Sequence, residues 1–141
     1  MSRRGIVIGL HWAAFLLILI MIKGGVSTPW ALWLFVGVVA AWEALTLAKG
    51  LIGRPGPKLS PGMRRAYPWM HRTLHILLAL TALACLLRLA GHPLRYLDAW
   101  ILLNITLAAG AFHGVFHVWR HTALYDNALR LILPRIMHKW L

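Results

Sequence analysis

The fold class this sequence predicts is all-α: an integral membrane bundle of four transmembrane helices with both termini cytoplasmic. Three observations predict it. Hydrophobic residues make up 60% of the 141 residues and charged residues 13%, against about 45–50% and about 25% in soluble domains. The apolar residues fall in four separate runs, each close to the roughly 20 residues needed to cross a bilayer. The charge is one-sided, with 15 Lys+Arg against 3 Asp+Glu and a net charge of +12. So apolar a chain has too much hydrophobic surface for a soluble enzyme, a disordered segment or a disulfide scaffold, and its one cysteine, Cys85, makes no intrachain disulfide. In a polar chain the basic excess would suggest nucleic acid. Here it predicts loops facing an anionic leaflet, so membrane lipid is the expected partner and nucleic acid is not.

The first span covers about residues 6–22 and stops at Lys23-Gly24-Gly25. Its Ser2-Arg3-Arg4 lead resembles a twin-arginine signal, but we read the run as a retained helix. The second covers about 30–48; Pro29 suits a helix start, where a missing N–H leaves nothing unpaired. The segment Gly53-Arg-Pro-Gly-Pro-Lys-Leu-Ser-Pro-Gly62 predicts a non-helical connector. The third span covers about 69–87, after Pro68, and the fourth about 98–119, leaving a C-terminal tail over 120–141. All belong to a single domain over residues 1–141. Only His11 interrupts the apolar stretch of the first run, whereas a helix of a soluble bundle would show a polar face.

Four spans place both termini and the connector between the second and third spans on one side. That side carries Arg3, Arg4, Lys49, Arg54, Lys58, Arg64, Arg65, Arg72, Arg120, Arg130, Arg135 and Lys139; the other has Lys23, Arg88 and Arg95. By the positive-inside rule the first side is cytoplasmic. Trp30, Trp33 and Trp100 then fall at the outer boundary and Trp69, Trp119 and Trp140 at the inner one, as an interfacial belt requires.

Eight histidines is a high number for such a chain, and ionisable groups within a span point to function. His11 lies seven residues past Arg4 and His113 seven before Arg120, each about 10 Å along its helix from the same side; Glu43, six before Lys49, lies at about 9 Å. His75, His117 and His121 are shallower, and His92 belongs to the outer loop. Two histidines on different helices at matched depth are what a b-type haem takes as axial ligands, and four-helix bundles build such sites from facing side chains. Other readings stay open. An intramembrane His also serves as a helix–helix hydrogen-bond partner. His113, His117 and His121 recur every four residues, as do His71 and His75, and such sets bind Zn or Cu, although Glu43 is the only carboxylate near them. His117 and His121 double as interfacial groups beside Arg120, His71 reads as interfacial and His138 as tail. Glu43 is an ion-pair partner or a proton carrier. Arg72 and Arg120, with Arg64 and Arg65, stand at the mouth as candidates to hold anionic propionates.

The run His113-Gly-Val-Phe-His-Val-Trp-Arg-His121, continuing into Asp126-Asn127, Leu129 and Leu133-Pro134, resembles the end of the bacterial cytochrome b561 family, which includes the membrane superoxide oxidase. Gly9-Leu10-His11-Trp12 resembles that family's early His-Trp, and His75 falls where its third helix also carries His. The second helix matches in hydrophobicity alone. The resemblance implies a four-helix, quinone-linked cytochrome of the bacterial inner membrane, with an inner haem b on His11 and His113. The family's outer-haem ligands have no counterpart: residues 30–52 hold no His, and Ala99 stands fourteen residues before His113. One haem per chain is therefore expected, near the cytoplasmic face, with quinone as substrate and with His75, His117, His121 and Glu43 as candidates for quinone contact or proton relay. The alternative is a haem-poor subunit that anchors or scaffolds a larger respiratory or photosynthetic complex.

Overall fold

The computed structural model describes residues 2–140, and the side chains of Arg135 and Trp140 lie outside the described residues, as does the boundary position expected of Trp140. Four helices are long and apolar enough to cross a membrane: α1 (Arg3–Gly24), α2 (Pro29–Lys49), α3 (Pro61–Leu89) and α4 (Ala99–Ala123). A short helix α5 (Ala128–Ile132) and a 3₁₀ segment (Arg135–Trp140) follow. Among the described residues there is no strand.

Local chemistry sets each boundary. Ser2 Oγ accepts from the Gly5 N–H at 3.2 Å and starts α1, which ends at Gly25 in the left-handed region (φ 76°). Pro29 occupies the first turn of α2, and Gly50 (φ 76°) closes it, donating to Thr46 O at 2.8 Å. Asp98 Oδ1 caps α4 by accepting from the Ile101 N–H at 2.9 Å.

The third helix departs from expectation. It begins at Pro61, eight residues before Trp69, so Pro61 and Gly62 are helical rather than part of the connector. Ser60 Oγ caps the Met63 N–H at 3.4 Å, and Pro61 sits at the position where proline needs no N–H. Pro68 therefore lies inside the helix. It leaves the Arg64 carbonyl without the usual partner four residues on, in an exposed stretch where water can replace it.

The tail is also more ordered than its sequence suggested. α4 continues to Ala123, Tyr125 and Asn127 turn through positive φ (50° and 56°), and α5 folds back with Ala128 fully buried. Trp12 Nε1 donates to Ile132 O at 3.1 Å, and the Arg4 guanidinium donates to Arg130 O. Both termini thus meet at one end of the bundle.

α1 packs on α2, α2 on α3 and α3 on α4, and α1 also touches α4. Only 22% to 28% of the most apolar stretch of each long helix is buried inside the bundle. Leu16, Leu34, Phe112 and Val115 are all exposed by half or more, a surface that suits lipid and would aggregate in water. Trp30, Trp33, Trp69, Trp100 and Trp119 are exposed as well.

Along its length the bundle has two unlike halves. The half away from the termini is a dry core built from Leu17, Ile18, Met21, Leu32, Phe35, Val39, Leu78, Cys85, Leu102 and Leu103. Thr81 and Thr106 are buried beside this core, their hydroxyls 2.7 Å apart, and Thr81 Oγ1 also donates to Leu77 O at 2.7 Å. The half at the termini carries the histidines of the long helices.

Candidate functional site

Tyr67, His71 and His75 stand four residues apart on α3, and His113 and His117 four apart on α4, so each set forms one stripe. α1 adds His11 and α2 adds Trp42. These side chains line one cavity of about 480 Å³ between the four helices. Arg3, Arg4 and Arg54 line it too, and residues 50–57 of the connector and Leu131 and Ile132 of the tail complete its wall. Leu59 is buried at 2% exposure, so the connector read as a plain loop is folded over the mouth.

The histidines fall into two groups. His71, His113 and His117 each offer a ring nitrogen, and these atoms lie within 4.8 Å of one another. The His113 and His117 ring centroids are 4.5 Å apart, and those of His71 and His113 4.9 Å, edge to face. His71 Nδ1 lies 2.9 Å from Tyr67 O, which fixes the tautomer: Nδ1 carries the proton and Nε2 keeps its lone pair. His117 is 2% exposed, and neither of its ring nitrogens has a hydrogen-bond partner; His113 Nδ1 has none either. Buried polar atoms left unpaired each cost about 1–3 kcal/mol, and one cause is a ligand-binding role.

The second group runs along the other wall. His75 Nδ1 lies 2.8 Å from Glu43 Oε1. Trp42 sits edge-on between His75, at 5.2 Å, and His11, at 5.5 Å. Glu43 is thereby hydrogen-bonded to a histidine inside the bundle, a contact that serves either of the two roles open to it. Glu43 itself is not among the cavity-lining residues, while His75 is.

No protein family, curated protein or solved structure matches this chain.

His11, His113, His75 and His117, expected at the site, all line the cavity, and so does Arg120. His121 does not, because 100° per residue carries it about 80° around α4 from His113, whereas Arg120 stays within about 20°. Arg72 is also outside, one residue past His71; it is exposed and lies over the Trp69 ring at 5.1 Å. Arg3, Arg4 and Arg54 take the place at the mouth expected of Arg72. His71, read as interfacial, is instead a wall of the cavity; its spacing from Tyr67 and His75 was the available signal.

Arg120 is 1% exposed and bound to the tail. Its Nη2 lies 2.6 Å from Asp126 Oδ2, and its Nε donates to the same oxygen at 2.7 Å. The guanidinium lies over the Tyr67 ring at 5.3 Å, a cation–π contact. Asp126 Oδ1 accepts from the Ala128 N–H at 3.0 Å and so starts α5. Gly56 of the connector lies against this pair: a Cβ there would stand 2.5 Å from both Arg120 Nη2 and Asp126 Oδ2.

Proposed function

We propose that the chain is a membrane-embedded b-type cytochrome of the kind the cytochrome b561 resemblance implies, exchanging electrons with quinone through one haem. His11 and His113 are its proposed axial ligands. The observation that carries this reading is that these two histidines, on separate helices, line one cavity of about 480 Å³, within the roughly 300–1,000 Å³ range of small-molecule and cofactor sites. The residues fit the group on a second count, since His113 keeps a buried ring nitrogen with no partner.

Bound there, haem would supply one-electron chemistry. The chain's own residues do the rest. The dry core of the opposite half keeps water from one side of the cavity. Arg3, Arg4 and Arg54 present positive charge at the mouth, where anionic propionates would pair with them. The His75–Glu43 pair holds a proton between two titratable groups at the wall, a suitable donor or acceptor for quinone. His117 adds a further unpaired imidazole. The outer half offers no histidine within a span, which supports one haem rather than two. We place the chain in the bacterial inner membrane with both termini cytoplasmic, on the strength of the basic excess around the ends of the bundle that hold Arg3, Arg4 and Arg120.

A pyridine haemochrome assay on the purified chain tests the reading; one haem per chain is expected. A chain that purifies folded and without haem would instead favour the anchoring subunit of a larger redox complex. Orientation has its own measurement: a C-terminal green fluorescent protein fusion should fluoresce and a C-terminal alkaline phosphatase fusion should be inactive. The reverse pattern would refute cytoplasmic termini.

A further inference from the structure

We propose that His71, His113 and His117 form a binding site for a divalent d-block cation of the zinc class, open when no haem occupies His113. The inference goes beyond the cytochrome reading and does not depend on it, although the two share one residue.

Three observations carry it. The three ligand atoms already lie within 4.8 Å of one another. Tetrahedral zinc with bonds of 2.0–2.1 Å holds its ligands about 3.3–3.4 Å apart, so side-chain rotations that draw the nitrogens in by about 1.5 Å complete the set. The ligands are also prepared. Tyr67 O holds the His71 Nδ1 proton at 2.9 Å and leaves Nε2 to bind, the backbone-anchored arrangement that metal-bound histidines show. His117 is buried with both ring nitrogens unpaired, an arrangement that a cation would relieve and that no protein group in the structure does.

The charge around the cluster permits a cation. Of the guanidinium groups that line the cavity, Arg120 is neutralised by Asp126 at 2.6 Å, and the positive charge of Arg3, Arg4 and Arg54 would favour an anion as the fourth ligand. Because all three histidines face the cavity, the fourth coordination position points into it. That is the open arrangement of three protein ligands and an exchangeable water or anion.

Cobalt(II), which reports tetrahedral coordination by its visible ligand-field bands, is the probe, followed by zinc. The full chain is purified in detergent, its haem content is measured, and cobalt is titrated. Cobalt uptake is expected to fall as haem content rises and to approach one ion per chain in haem-free protein. His71→Ala and His117→Ala should each weaken cobalt binding by about 100-fold or more, while His11→Ala, which removes a proposed haem ligand, should leave it intact. X-ray absorption on the zinc-loaded unmodified chain is expected to show three imidazole nitrogens at zinc, a result that does not rely on any variant folding. Absence of cobalt binding in haem-free chain, or a zinc shell without imidazoles, overturns the proposal. If the unmodified chain purifies folded with no haem at all and binds cobalt, the cytochrome reading alone is refuted; if it carries haem and its haem-free fraction binds no cobalt, the metal site alone is refuted.

Discussion

His113→Ala is expected to abolish low-spin b-type haem absorbance and cobalt binding together, because His113 is the one residue common to the proposed haem pair and the three-histidine cluster. Single changes elsewhere should separate the two: His11→Ala should lose haem and keep cobalt, and His71→Ala should weaken cobalt. The loss at His113 should be near complete for haem content and exceed about 100-fold in cobalt affinity. The fold should survive, since the substitution removes a buried nitrogen that has no partner. Optical spectra and cobalt titration on the same preparation measure both, with helix content from circular dichroism as control. A normal haem spectrum in His113→Ala would remove it from the ligand pair.

The second large effect is on stability. Arg120 and Asp126 are 1% and 2% exposed at their side chains, and breaking a buried pair by removing one partner costs about 3–5 kcal/mol. Arg120→Ala should therefore destabilise strongly. Gly56→Ala should also destabilise, by less, without removing either charge, since its Cβ would stand 2.5 Å from end atoms of both and these buried side chains have little room to turn away. The two effects have one origin, so the double variant should cost little more than Arg120→Ala alone. Thermal unfolding in detergent micelles measures this; additive losses would show that Gly56 acts independently of the pair.

Much of the architecture was legible in the sequence because lipid imposes a length and a polarity on every span. His11 and His113 could be set at one depth by counting from Arg4 and Arg120, and both line the cavity. What was not legible depends on contacts between distant segments. Pro68 reads as a helix start, yet Ser60 and Pro61 open α3 earlier, because proline inside an exposed turn breaks a bond that solvent can replace. Asp126 reads as part of a tail motif; only the fold brings it to Arg120. Gly56 is one of several glycines in a flexible-looking connector, and its need to lack a side chain comes from a helix more than sixty residues away. His121 looked like the third member of a stripe, but four-residue steps drift around a helix, and by the second step the ring has left the face.

The dry half of the bundle has an electrical consequence. Moving one elementary charge across a membrane holding 100 mV is worth about 2.3 kcal/mol, and most of that drop falls across hydrocarbon. Among the described residues, Thr81 and Thr106, whose hydroxyls are bonded to each other, are the only buried polar side chains beside the dry core, and a pair of hydroxyls is no titratable relay. Under the proposed function, charge handled among the histidines would enter and leave by the end of the bundle where the termini lie. On the proposed function, electron and proton exchange in this chamber would be nearly indifferent to membrane voltage, neither driven by the cell's electrical gradient nor adding to it.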